Sequence, residues 1–232
     1  MLTYVTAFYL IRTDVVLDEY IQEFHKLVST GVPILLFLDP AVQLEISAPN
    51  VTIAYLPFEL IDNAVLPRHR NESKDTLEFL SLMLMKMKCM SEALKYTPSS
   101  HLAWVDFRVF HVVRDTREVQ KRLRSLTRVS FPGLKTILAP GCWAPTPNFD
   151  ILNSICWRFC GGFFLGPREI FPLAYQQQTN LVQHYLPHLT WEVNYWTKME
   201  ELFTWFPGDH NDSIIPCIET LRTTGVEVGR IA

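Results

Sequence analysis

The chain has 232 residues, 48% of them apolar, with a formal net charge of −3 at pH 7. That is enough apolar matter for a sizeable core in one compact domain spanning residues 1–232. A slightly acidic balance argues against a sequence-independent grip on nucleic acid, which needs a concentrated basic surface.

The N-terminal "MLTYVTAFYLIRTD" is apolar enough to suggest a signal segment. It lacks a basic n-region and a small-residue cleavage site, and Thr3 and Thr6 suit a buried strand better. No stretch approaches the roughly 20 apolar residues of a membrane span. The expectation is an intracellular, cytoplasmic protein, or a soluble domain cut from a longer one.

"TYVTAFYLI" therefore reads as a first strand, "VLDEYIQEFHKLVSTG" as an amphipathic helix ending at Gly31, and "VPILLFLDP" as a fully buried second strand. "NVTIAYLPF" adds a short third strand. "SKDTLEFLSLMLMKMKCMSEALKY" predicts a long helix with Ser73 as N-cap, its Met83, Met85, Met87 and Met90 filling core. "HLAWVDFRVFHVV" opens as another buried strand, "RDTREVQKRLRSL" as a helix with a solvated charged face, and "KTILAP" as a short strand. Then comes an aromatic run broken by Gly161-Gly162, a helix over "TWEVNYWTKMEELF", and the loop-like "TWFPGDHNDSI". Strands alternating with helices, without repeats or low-complexity linkers, predict an α/β three-layer fold. Loops rich in proline, such as "PGCWAPTPNFD", follow the strands, where open α/β sheets gather ligands. The five cysteines are odd in number and contain no CxxC pair, so they read as reduced, largely buried thiols and only weakly as a zinc set.

Asp106 poses a physical problem. A lone carboxylate at the end of an apolar strand carries a desolvation penalty of several kcal/mol unless a cation or hydrogen bonds offset it. Something near it must be cationic. Carboxylates at strand ends (Asp39, Asp106), the cationic pair Arg70 and Lys74 before a helix, the Gly161-Gly162 break, and the late Glu192 and His210 together suit an anionic ligand held with Mg2+ or Mn2+.

The strings "RNESKDT", "HLAWVDFRVFH", "PGCW", "CGGFFLG", "LTWEVNYW" and "DHNDSI", in this order over nearly the whole chain, resemble the bacterial YibB/HtrL-like family of glycosyltransferase-like proteins. The resemblance implies a GT-A-like nucleotide-sugar-binding α/β/α sandwich with a mostly parallel mixed sheet. It also implies a divalent metal bound by an Asp-x-Asp-like motif after a central strand. Here that motif is Asp106-Phe107-Arg108, with one carboxylate in place of two. By the resemblance Asp106 ligates the metal or the ribose, and His210 completes the metal site. Arg108 contacts phosphate, or else pairs with Asp106. Arg70 and Lys74 lie where such enzymes place basic residues against the diphosphate. Asp75 either accepts a sugar hydroxyl or serves its helix dipole.

Gly161 and Gly162 let backbone approach the donor, or form a plain bulge. Glu192, between Trp191 and Trp196, is either the base that deprotonates an acceptor hydroxyl or a helix-start carboxylate. Trp191 is the candidate platform for the acceptor sugar. The two tryptophans are five residues apart and cannot share one helix face, so at least one belongs to the core. The segment "FPGDHNDSI" either orders around a ligand or is a solvated loop.

The expected function is transfer of a sugar from a UDP- or GDP-sugar to a glycan hydroxyl. The rivals are a nucleotidyltransferase that makes the activated sugar, and a non-catalytic carbohydrate-binding protein on the same fold. Against the first, strand one is followed only by "LIRTD" and by no Gly-rich phosphate loop.

Overall fold

The computed structural model describes residues 1–12, 16–146 and 148–230; Thr13 and Asp14 of "LIRTD" and Pro147 of "PGCWAPTPNFD" lie outside them. Strand β1 (Leu2–Phe8) leads through helix α1 (Leu17–Val28) to β2 (Ile34–Leu38) and then β3 (Val51–Tyr55). These strands pair in parallel, with Val5 opposite Leu35 and Leu35 opposite Thr52. Helix α2 (Leu77–Glu92) crosses back to β4 (His101–Val105), which pairs in parallel with β1 on its other side.

The chain continues through α3 (Thr116–Leu126), the two-residue β5 (Val129–Ser130), β6 (Ile137–Gly141), β7 (Phe163–Pro167), α4 (Ile170–Tyr185) and α5 (Glu192–Trp196). It finishes with β8 (Phe203–Pro207), α6 (Ile218–Thr223) and β9 (Gly229–Arg230). Seven strands form one sheet in the order β3-β2-β1-β4-β7-β6-β8, and β5 and β9 make a separate ribbon. Within the seven-stranded sheet, β7 pairs antiparallel with β4 and β6, and the other pairs are parallel. The expected α/β/α sandwich with a mostly parallel mixed sheet is the architecture observed.

Strand alternation divides the core in two. Val5, Leu35, Phe37, Leu102 and Trp104 face α2, α4 and α5. Tyr4, Leu36, Leu38, Ala103 and Val105 face α1, α3 and α6. No helix among the described residues is long and apolar enough to cross a membrane.

Four expectations need correction. Helix α2 begins at Leu77 rather than near Ser73, because the preceding turn uses its own side chains. Asn71 Oδ1 accepts from the Ser73 backbone and hydroxyl, and the Asp75 carboxylate accepts from the Asn71 N–H. The cap is Thr76, whose hydroxyl accepts from the Phe79 N–H at 3.2 Å.

The strand opening "HLAWVDFRVFHVV" stops at Val105, and Val109–Val112 is a 3-10 turn. The helix expected over 190–203 is only α5, and its last predicted residue, Phe203, starts edge strand β8. The cysteines are free, but Cys142 is exposed and Cys217 half-buried, leaving three of the five buried.

Strand β7 and helix α4 have no counterpart among the sequence-predicted elements. In α4 the buried positions Ile170, Ala174, Gln178 and Val182 recur every four residues. A glutamine interrupts that apolar stripe. Its amide is satisfied inside the core, donating to the Leu84 carbonyl and accepting from the Trp196 indole.

Candidate active site

The strand order reverses direction between β1 and β4, since the chain runs outward from β1 through β2 and β3 and then returns to the opposite side. Such a switch point leaves a crevice beyond the carboxyl ends of the two strands. Two cavities open there. A smaller one of about 330 Å3 is walled by the segment after β1 (Tyr9 to Arg12), by Tyr20, and by Arg108. A larger one of about 690 Å3 is walled by Arg70, Trp157, Trp191, Glu192 and His210. Lys74, Phe79, Met83, Lys86 and Asp106 line both.

Asp106 reaches this position because it continues the alternation of β4. Two residues after Trp104, it turns toward α2, while Phe107 turns the other way and stacks on Phe24 at 4.4 Å. Its cation is Lys86, on the buried face of α2. The Lys86 ammonium lies 3.1 Å from Asp106 Oδ1 and 2.9 Å from Glu192 Oε1, and donates to the Gly161 carbonyl at 2.9 Å. The three acceptors match the three N–H bonds of an ammonium. Asp106 Oδ1 also accepts from the Trp104 indole at 2.7 Å.

Burial alone pulls the Lys86 pKa down, but the Asp106 and Glu192 carboxylates outweigh it, and the net shift is upward. Lys86 therefore stays charged. Sequence reasoning required a cation near Asp106 and missed which one, because Lys86 sits inside the Met-rich run taken as core filler. That a lysine interrupts the run was the available signal. The methionine expectation holds for Met85, Met87 and Met90, which are buried, whereas the half-buried Met83 lines both cavities.

Arg108 does not pair with Asp106. Its guanidinium lies 4.1 Å from the centre of the Tyr20 ring on the wall of the smaller cavity, and its Nε is buried without a partner among the described residues. Arg12, which sequence reasoning did not single out, enters the same cavity and donates to the Lys74 carbonyl at 3.2 Å, tethering the segment after β1 to the turn before α2. Lys74 sits in that turn rather than on a helix, its ammonium 5.2 Å from the Phe79 ring. Arg70 lines the larger cavity and donates to the Pro67 carbonyl. Asp75 lines it too, but one carboxylate oxygen is engaged by the Asn71 N–H. Asp39 lies apart, accepting from the backbone N–H groups of Ala41 and Phe58.

Gly161 and Gly162 form a wall of the larger cavity for a specific steric reason. A Cβ on Gly161 would sit 2.2 Å from Glu192 Oε1 and 3.2 Å from Lys86 Nζ. One on Gly162 would meet Ile214 Cδ1 at 2.6 Å and Asp106 Oδ2 at 3.4 Å. The Gly162 carbonyl accepts from the Asp106 N–H, so the pair locks β7 against the end of β4. Both tryptophans are buried in the same core cluster; Trp196 stacks on Phe203, and Trp191, 4% exposed, also lines the cavity.

His210 packs edge-on against Trp157, with Nε2 buried and unpartnered among the described residues. Burial lowers its pKa, only partly opposed by Asp106, so the ring is held neutral. Its segment is tied down: the Asp209 N–H donates to Ser213 Oγ, and Asp212 accepts from the N–H groups of Arg114 and Asp115.

Asp106 and His210 thus share a cavity, as the metal expectation requires, but the donor set does not fit a protein-held divalent ion. Among the described residues no three His, Cys, Asp or Glu side chains converge as a metal-binding group. The aspartate already carries an ammonium on Oδ1, and that ammonium would repel a second cation.

No family model and no curated protein matches the chain. Among solved structures it is similar to the bifunctional IspDF from Campylobacter jejuni, with TM-score 0.47, 8% identity, and coverage of 98% of this chain and 55% of that one. The chain thus spans about half the length of that protein. It is also similar to a glycosyltransferase involved in the glycosylation of the major capsid of PBCV-1, with TM-score 0.47, 9% identity, and coverage of 89% and 81%. A third is the 4-diphosphocytidyl-2C-methyl-D-erythritol synthase from Anaerococcus prevotii DSM 20548, with TM-score 0.46, 12% identity, and coverage of 96% and 95%. These are likenesses of overall fold, and the chemistry of the site rests on its own geometry.

Proposed function

We propose that the chain is a YibB/HtrL-like, nucleotide-sugar-dependent glycosyltransferase that moves a sugar from a UDP- or GDP-sugar to a glycan hydroxyl. The observation that carries this reading is the pair of cavities sharing Lys74, Lys86 and Asp106 at the β1/β4 crevice. The smaller cavity, with Leu10, Met83 and Tyr20 beside cationic side chains, takes the nucleoside and its diphosphate. The larger takes the sugars, with Asp106 accepting a donor hydroxyl and Trp191 offering an aromatic surface to the acceptor.

In the step itself the acceptor oxygen attacks the anomeric carbon, and the bond from that carbon to the diphosphate oxygen breaks. The electron pair leaves with the diphosphate, and the acceptor proton passes to Glu192. Lys86 fixes one oxygen of Glu192 and so orients the carboxylate.

The test is a product assay. The protein should release nucleoside diphosphate from a UDP- or GDP-sugar when given a glycan acceptor, and the donor should raise its melting midpoint by mass action. Release of pyrophosphate from a nucleoside triphosphate plus a sugar phosphate would replace this reading with the nucleotidyltransferase. Glycan binding with no nucleotide effect would replace it with the carbohydrate-binding protein.

A further inference from the structure

We infer that this site holds the donor diphosphate with protein cations alone, Arg12, Lys74 and Arg108 gripping it while Lys86 neutralises Asp106 from within, so that donor binding needs no divalent metal; the inference rests on the nucleotide-sugar reading of the site. The charge inventory of the smaller cavity is the starting point. Among the described residues its lining carries four cationic side chains, Arg12, Lys74, Lys86 and Arg108, against one carboxylate, Asp106. A metal-bridged diphosphate site instead leaves one or two carboxylates free to bind the ion, which links them to the phosphates. Here Lys86 already pairs with both central carboxylates, Asp106 and Glu192, and leaves one net negative charge between them.

Among the described residues the remaining cations are not spent on carboxylates. No ion pair is found for Arg12, Lys74 or Arg108 among the described residues; Arg12 donates to a carbonyl, Lys74 approaches a ring, and Arg108 lies over Tyr20 with its Nε unpartnered. Two guanidiniums and an ammonium facing one cavity form a ready set of donors for phosphate oxygens. Lys86 itself is saturated by its three acceptors, so its part is to position the two carboxylates and cancel charge.

The experiment is calorimetric titration of the full chain with UDP, GDP, CDP and ADP, once in excess EDTA and once in excess Mn2+, with the matching nucleosides as controls. The inference expects a preferred nucleoside diphosphate whose affinity in EDTA and in Mn2+ agrees within about twofold. Arg108→Gln and Lys74→Gln should each weaken that diphosphate by about tenfold or more while changing the nucleoside far less. Binding that appears only with Mn2+, or that Mn2+ strengthens by about tenfold or more, overturns the inference and leaves the nucleotide-sugar reading standing. Absence of binding by all four diphosphates under both conditions overturns both. Because the EDTA comparison uses the unmodified protein, it decides the matter even if a variant fails to fold.

Discussion

The carboxylate at the end of β4 is only partly desolvated, its side chain 39% exposed, and the buried partner of Lys86 is Glu192; the ammonium answers both from a helix that reads as core. Lys86→Met should therefore cost about 3–5 kcal/mol in a urea melt, because it strands Glu192 and Asp106 together. Adding Glu192→Gln should recover part of that loss, since the stranded charge at the buried position is removed. Sign matters for the pH dependence. A raised folded pKa means the Lys86 contribution is fully present below lysine's ordinary value and is lost as pH climbs through the higher folded one, leaving neutral pH unaffected. His210 is the reverse case. Its folded pKa lies below the ordinary value, so the unfolded chain binds the extra proton first, and stability falls as pH drops through about 6.5 toward the folded value. His210→Gln should flatten that part of a stability-against-pH curve, and an unchanged slope would show that the ring does not carry it. For catalysis, Glu192→Gln should lower kcat by about 100-fold or more while leaving nucleoside diphosphate affinity nearly unchanged.

Secondary structure positions these groups through a few local devices. Gly161→Ala pushes a methyl group into a buried, ion-paired Glu192, whereas Gly162→Ala meets the flexible tip of Ile214. The first should impair transfer and stability more than the second, as kinetics and thermal melts of the two variants would show; equal effects would mean the Lys86–Glu192 pair tolerates displacement. At the start of α2 the cap is Thr76, so Thr76→Ala should cost about 1 kcal/mol, against a smaller change for Ser73→Ala. Apolar periodicity made α1, α3 and most of α2 legible, because each buries a regular stripe. Helix α4 escaped because Gln178 breaks its stripe and is satisfied only by partners more than fifteen residues away, Leu84 and Trp196.

At the scale of the whole molecule, the sheet brings together side chains from six parts of the chain: Arg12 after β1, Lys74 before α2, Lys86 within it, Asp106 and Arg108 after β4, Glu192 at the start of α5, and His210 after β8. If the smaller cavity works by charge, nucleoside diphosphate affinity should fall steeply as NaCl is raised, while nucleoside affinity stays nearly flat. Parallel salt responses for the two ligands would place the cations outside the binding surface.

By itself the sequence determined the α/β alternation, the strands β1, β2, β3, β4 and β6, and the need for a cation beside Asp106, because these follow from local apolar periodicity and from the cost of desolvating a charge at the end of an apolar strand. It also marked Arg70, Lys74, Asp106, Gly161, Gly162, Trp191, Glu192 and His210 as residues of one site, and all of them line the larger cavity. Only the tertiary structure decided which cation answers Asp106, that Arg108 turns away to Tyr20, and that Arg12 joins the smaller cavity. The reason is physical. Lys86 and Glu192 are 106 residues apart in the chain, and an ion pair between them is set by how α2 and α5 pack, which no window of local sequence encodes.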